Sequence, residues 1–373
     1  MSRRAALSLW RVVLPPLVAA HVLWFAVVLL VLHADFPSSA LWPGVRMTLL
    51  RWDAISYLHI AAHWYPINPH GPDSYLDAFL PGYPILLRLA GVVVRDGVAA
   101  AWLTGVVCEA VALWYVAALV DRERDRRAAT FAVWLLALAP TALFLIAPFT
   151  ESPFIAAAAA SLYYARAGRP RAAAIAAALA TAVRITGLAL LPALALETWS
   201  RNRWRPSRAL TWVLIIPLPL LLYCAYMHVH TGDALALIDA NRSPSFGHSA
   251  AWPWDGFSVT WNTMATATDG ETRSVFAREI AFGLLGLVAC AGMWASPRFP
   301  RSIALYSTLA WLLTASLSFW RSEPRYFLAE FPFVLLVADL TTRARRARYV
   351  IVAASGLLMC AGVWVFSEGR WLG

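Results

Sequence analysis

Three carboxylates and three guanidiniums, set among many aromatic rings, are the side chains in this sequence best placed to do chemistry. The densest group is Arg51-Trp52-Asp53-Ala54-Ile55-Ser56-Tyr57-Leu58-His59-Ile60-Ala61-Ala62-His63-Trp64-Tyr65. It holds one acid, Asp53, among Trp52, Tyr57, Trp64 and Tyr65. Helical spacing puts residues 53, 57, 60 and 64 on one face, with the acid at one end of an aromatic platform. Rings with an apolar body and a polar rim suit the headgroup level of a bilayer, and they also stack on sugars. The stretch therefore reads either as a site for a polar substrate or as an interfacial helix with an incidental acid.

Two more acids keep unusual company. Glu151 lies in Phe149-Thr150-Glu151-Ser152 at the end of an apolar run, and Asp233 follows Gly232 where another run stops. Arg184, Arg321 and Arg325 lie in or beside apolar segments. A guanidinium fork matches phosphate geometry; the plainer use is an ion pair, such as Arg325 with Glu323 or Glu330. His59 and His63 are four apart, but the His-Glu-x-x-His pattern is missing. They read as hydrogen-bonding or substrate-contact groups rather than metal ligands. The chain has no Gly-rich phosphate loop, nucleophile elbow or cysteine pair, so neither nucleotide-driven transport nor soluble hydrolase chemistry has support.

These residues must be positioned by membrane helices. Of the 373 residues, 60% are hydrophobic and 14% charged, more apolar surface than a soluble domain of this size uses. Repeated runs near 20 residues predict an all-α, polytopic membrane protein with about ten to twelve membrane segments and interfacial helices on its outer face. All 31 basic residues are arginine. The net charge of +10 is explained by arginine-rich loops that face the cytoplasm, with no call for nucleic acid. Cys108, Cys224, Cys290 and Cys360 all fall in apolar runs and read as small core residues rather than disulfides. The first apolar run is long for a signal peptide and has no clear cleavage site, which predicts a retained helix.

Loop charge then orders the chain as a single integral membrane domain over 1–373. A first helix over 10–33 leads to an outer loop, 34–97, that carries the Asp53 stretch. Residues 79–94 read as an interfacial or re-entrant helix, because a full span there would put the arginine-rich segment 121–127 outside. Pro81 and Pro84 fit its start. Spans follow over 98–120, 128–147 and 153–166. The run 172–199 has arginines at both ends and a break at Arg184-Ile185-Thr186-Gly187, so it predicts a hairpin with Arg184 at the outer tip, facing protein or water. After 209–229 comes a second outer loop, 230–274. Further spans cover 275–296, 302–320, 326–341 and 349–367.

The ordered motifs resemble the PIG-V family, the GPI mannosyltransferase 2-like proteins of the GT-C class of membrane glycosyltransferases. They are Trp52-Asp53 with Tyr57-Leu58-His59-Ile60-Ala61, Ala78-Phe79-Leu80-Pro81-Gly82-Tyr83-Pro84, Pro140-Thr141-Ala142-Leu143-Phe144, Phe149-Thr150-Glu151-Ser152, Arg184-Ile185-Thr186-Gly187, Thr231-Gly232-Asp233, Trp252-Pro253-Trp254 and Pro324-Arg325-Tyr326. Gly82, Ile185 and Ala234 depart from the family's usual residues. The resemblance implies an inverting mannosyltransferase that uses a polyprenyl-phosphate-mannose donor at the outer membrane face; it assigns no cofactor and leaves the use of a divalent metal open. Asp53 would be the catalytic base. Trp52, Tyr57, His59, Glu151 and Asp233 would contact the substrates, and Arg184 and Arg325 would bind the donor phosphate. The implied partners are the bilayer, the lipid-linked donor and a cell-envelope glycolipid or glycan acceptor, and the expected location is a bacterial plasma membrane. The rival class is a transporter or flippase of a lipid-linked sugar, which predicts internal repeats and charges at the membrane midplane.

Overall fold

Apolar runs bounded by Asp, Pro and Gly fold here as helices. In the computed structural model, which describes residues 3–35, 41–68, 71–205 and 207–372, every regular element is helical. The one β contact among them is an isolated bridge between Ala250 and Leu317. In the first half, α1 (Arg3–Asp35) is followed by the short α2 (Leu41–Leu49), α3 (Asp53–His63) and α4 (Gly82–Val93), then by the long α5 (Gly97–Glu123). Next come α6 (Arg126–Ala137), α7 (Leu143–Ile146), α8 (Glu151–Arg166), α9 (Pro170–Val183) and α10 (Leu190–Arg201). The second half runs through α11 (Leu218–Thr231), α12 (Ala236–Arg242), α13 (Pro253–Thr266), α14 (Gly270–Ala295), α15 (Arg301–Ala315), α16 (Glu323–Ala329), α17 (Phe333–Leu340) and α18 (Arg345–Ser367). The predicted outer loop 34–97 includes residues 36–40 and 69–70, which lie outside the described residues.

The starts have local causes. Asp96, Asp125 and Asp269 cap α5, α6 and α14 by accepting backbone amides with their side chains. Five helical segments are long and apolar enough to cross a membrane: Leu7–His33, Gly97–Glu123, Arg208–Thr231, Gly270–Ala295 and Arg345–Ser367. The chain is a multi-pass membrane protein. The other apolar runs are broken. The 128–147 run divides between α6 and α7 at Pro140, and the 326–341 run divides between α16 and α17 at Pro332. The run 302–320 is helical only to Ala315. Such breaks are tolerated in a membrane where neighbouring helices cover the backbone.

At the centre, α5 packs on α8 and α6, and α8 packs on α9. The runs Ala156–Ala160 and Ala172–Ala174 have little side-chain bulk, so these helices approach closely. The arginine-rich connections gather at one end of the bundle. There Arg166 pairs with Glu123 at 2.8 Å and with Glu197 at 3.0 Å, and Glu197 also accepts from Ser302 at 2.7 Å. Arg124 joins Asp339 and the Arg298 carbonyl at the same end. The segment 170–201 is a hairpin: α9 and α10 pack together, and Arg201 returns to the Arg166 carbonyl at 3.3 Å.

The tip of that hairpin is built on two close approaches. A Cβ on Gly82 would lie 2.5 Å from the Ala182 carbonyl oxygen, and one on Gly187 would lie 2.5 Å from the Thr181 amide nitrogen. Gly82, a departure from the family pattern, is therefore the residue that lets α4 meet the last turn of α9. Gly82→Ala is expected to lower stability by about 1–3 kcal/mol through overpacking against backbone. Gly91→Ala, on the same helix with nothing within 4 Å, should be neutral or slightly stabilising. Thermal unfolding in detergent measures both.

Candidate active site

The Asp53 and Arg325 segments each begin at a backbone position that favours glycine. Trp52 has φ 47° just before α3, and Ser322 has φ 70° just before α16. Each such residue costs about 1–3 kcal/mol unless its surroundings hold it. Trp52 is held by rings: Phe366 at 4.9 Å and Trp371 at 5.1 Å. The turn makes Asp53 the first residue of α3, where the helix dipole favours a carboxylate. On the other side, Pro324 in the first turn of α16 presets the backbone that presents Arg325.

Four side chains from four elements then form one chain of charge. Arg325 Nη1 donates to Asp53 Oδ2 at 2.7 Å, and its Nε donates to Glu151 Oε1 at 2.9 Å. Arg184 Nη1 donates to the same Glu151 oxygen at 2.8 Å and to Thr150 Oγ1 at 3.1 Å. Arg184 reaches in from the extended residue between α9 and the 3-10 turn Ile185–Ala189. Phe149 and Phe144 flank the Arg325 guanidinium at 4.7 and 5.1 Å, and Tyr326 stacks on Arg184 at 5.2 Å. The Glu151 side chain is 0% exposed, Arg325 5%, Arg184 11% and Asp53 23%. Burial is thus deepest at Glu151 and falls toward both ends of the chain of charge, furthest at Asp53. Among the described residues nothing hydrogen-bonds Asp53 Oδ1.

Tyr57 walls the site from within α3. It is buried, with its ring against Phe79 at 5.0 Å and Tyr83 at 5.1 Å. Burial, then the Asp53 charge, raises the phenol well above its ordinary pKa, against the opposing pull of Arg184 and Arg325. Tyr57 therefore stays a neutral donor beside the acid.

The other predicted residues lie elsewhere. His59 is exposed, its ring 4.9 Å from that of His63, on a different side of α3 from Tyr57. Asp233 follows the αL residue Gly232 at the end of α11 and caps the Leu235 amide at 2.7 Å. Its neighbour is Asp77, a residue the sequence did not single out. Asp77 is 2% exposed, and burial and the Asp233 charge raise its pKa to about 7. Its apolar flanks Leu76, Ala78 and Phe79 were the available signal. Arg325 takes Asp53 and Glu151 as partners rather than Glu323 or Glu330. Both arginines expected to be free for phosphate are thus engaged by carboxylates, and the four charges sum to zero.

No family model matches the sequence, and no curated protein sequence does. Solved structures do share its architecture. ArnT from Cupriavidus metallidurans, determined with undecaprenyl phosphate bound, aligns with a TM-score of 0.53 at 17% identity over 93% of this chain and 64% of its own. The oligosaccharyltransferase of Archaeoglobus fulgidus gives 0.48 at 12% identity in its apo form, covering 96% of this chain and 55% of its own, and 0.46 at 13% identity in complex with Zn and sulfate, covering 88% and 48%. This chain spans about half the length of the oligosaccharyltransferase. The likeness to ArnT shows a shared fold.

The burial gradient separates two substitutions. Glu151→Gln leaves two buried guanidiniums short of a counter-charge and is expected to cost ~3–5 kcal/mol of stability. Asp53→Asn leaves Arg325 paired with Glu151 and keeps an amide oxygen able to accept from Arg325 at the less buried end, so it should cost less, about 1–3 kcal/mol. Chemical or thermal unfolding of the two variants in one detergent checks the ranking.

Proposed function

We propose that this chain is an inverting glycosyltransferase that moves a hexose, mannose by its resemblance to the PIG-V family, from a polyprenyl-phosphate carrier to a hydroxyl of a cell-envelope glycolipid or glycan. The observation that carries the reading is Asp53: a carboxylate fixed through one oxygen by a buried guanidinium, with the other oxygen unengaged at the open edge of an aromatic-walled site. The GT-C fold supports a membrane transferase, and ArnT, with undecaprenyl phosphate bound, supports a lipid-phosphate carrier. Placing the reaction at the outer face rests on the arginine-rich loops, which gather at the opposite end of the bundle.

In this reading the acceptor oxygen attacks the anomeric carbon of the donor sugar. The bond from that carbon to the phosphate oxygen breaks, and polyprenyl phosphate leaves with the electron pair. The acceptor proton goes to Asp53 Oδ1. Arg325 holds the carboxylate at one angle throughout, Glu151 holds Arg325, and Arg184 holds Glu151. The two arginines thus position the base. Trp52 and Tyr57 offer ring surface and a phenol donor to the sugars, while His59 and Asp233 lie outside the group that positions the base and contact substrate only beyond its edge.

The test is transfer from radiolabelled polyprenyl-phosphate-mannose to membrane lipid extract by the purified protein. Asp53→Asn keeps the side-chain shape but cannot take a proton, and its rate should fall about 10²–10⁴-fold. Asp233→Asn and His59→Gln should stay within about tenfold of the unsubstituted protein, as expected of groups that do not touch the reacting atoms. An Asp53→Asn protein with undiminished turnover, or no transfer from any lipid-phosphate sugar, overturns the reading.

A further inference from the structure

With Arg184 and Arg325 engaged by carboxylates, unspent positive charge lies two residues from Asp53, at Arg51. Residues 368–372, beyond α18, fold back over the site, and Trp371 packs edge-on against Trp52 at 5.1 Å. Three arginines from different elements meet at this indole pair. The Arg51 guanidinium lies 6.0 Å from the Trp52 ring, and that of Arg321 lies 5.9 Å from the Trp371 ring. Arg278, near the start of α14, donates to the Trp371 carbonyl at 3.0 Å. Arg51 donates to the Ser367 carbonyl at 2.8 Å. Among the described residues none of the three forms a salt bridge with a carboxylate. The neighbouring acid Glu279 is buried and accepts the amides of Ser322 and Glu323 instead, and Arg370 pairs with Glu368.

The same place has donors in excess. Among the described residues, Arg51 Nε, Arg278 Nε and Trp371 Nε1 are buried without a hydrogen-bond partner. Three positive charges and three unmatched N–H groups around one aromatic pair call for an anion with several acceptor oxygens. The positive field reaches His248, whose pKa burial and the Arg321 charge lower to about 4.

A second feature starts directly beneath. One helical turn below Arg278, Phe282 begins an apolar cavity of about 910 Å³ that also takes in Leu285, Gly292, Phe327 and, on α18, Ile351 and Leu358. Arg278, Phe282, Leu285 and Gly292 follow at helical spacing along α14, so charge and cavity share one face. A charged head above a long apolar trough matches an amphiphile and not a free ion.

We propose that Arg51, Arg278 and Arg321 bind the phosphate of a polyprenyl phosphate, and that its hydrocarbon chain occupies the cavity between α14 and α18. The identity of the lipid rests on the function proposed above; the phosphate site and trough rest on the contacts just described.

The test is binding of undecaprenyl phosphate to the purified protein, separate from any transfer assay. Arg51→Gln, Arg278→Gln and Arg321→Gln should each weaken binding by about tenfold or more, the loss expected for a charge-assisted contact. Arg51→Lys and Arg278→Lys keep the charge and should lose less, which separates anion binding from a folding defect. Arg345→Gln, at the start of α18, should bind like the unsubstituted protein. Ala289→Phe, which fills the trough, should weaken undecaprenyl phosphate binding and leave geranyl phosphate binding unchanged. Equal competition by inorganic phosphate or by phosphatidylglycerol overturns the assignment to a polyprenyl lipid, as does unaltered binding by the three Gln variants. A protein that binds undecaprenyl phosphate in this way but transfers no sugar retains the site and loses the proposed function. A protein that transfers sugar while the Gln variants bind normally does the reverse.

Discussion

A carboxylate with no access to water must be neutralised where it sits, and in this protein that carboxylate is Glu151. Its side chain is fully buried, and one of its oxygens takes a hydrogen bond from each of two guanidiniums. Taking one such charge out of water costs several kcal/mol, and only close, well-directed partners offset it. The hairpin tip must deliver Arg184, and α16 must deliver Arg325, to the same point at the start of α8. Much of the local structure serves that meeting. Gly82 and Gly187 let backbone pack against the end of α9, Pro324 starts α16, and Phe144 and Phe149 form the apolar wall that keeps water from Arg325.

The consequence for Asp53 is geometric. Arg325 has one arm on Glu151, so its other arm points in a fixed direction, and Asp53 is held at the end of it. A base positioned through a buried ion pair does not have to find its angle during the reaction. The left-handed residue Trp52 is the strained link in this arrangement, and residues 366–371 cover it. In the proposed reading, positioning and anion binding are divided between two sets of arginines: Arg184 and Arg325 are paired with carboxylates, whereas Arg51, Arg278 and Arg321 lie beside the same tryptophan pair.

The fold was largely legible because the membrane imposes simple rules. Arginine-rich loops had to share one side, and that parity, with the break at Arg184-Ile185-Thr186-Gly187, made 172–199 a hairpin with Arg184 at the tip. Hydropathy did not show where runs break, since Pro140 and Pro332 interrupt helices without ending the apolar sequence. The members of the charge chain were legible too, because Asp53, Glu151, Arg184 and Arg325 are each conspicuous in apolar company. Their pairing was not. It joins residues up to 272 positions apart, and nothing local in the sequence distinguishes an arginine that meets a carboxylate from one that does not. Arg51 and Arg278 were passed over for the same reason, since only the fold of residues 367–372 brings them together.

The central claim is that Asp53 removes a proton and never bonds to the sugar. The anomeric configuration of the product tests it most directly. Attack on the face opposite the leaving phosphate, with Asp53 as base, inverts the anomeric centre once. Nuclear magnetic resonance of the isolated product, compared with the donor, should therefore show the opposite anomer. Retention of the donor's configuration would mean that a side chain forms a glycosyl intermediate, and would contradict the account.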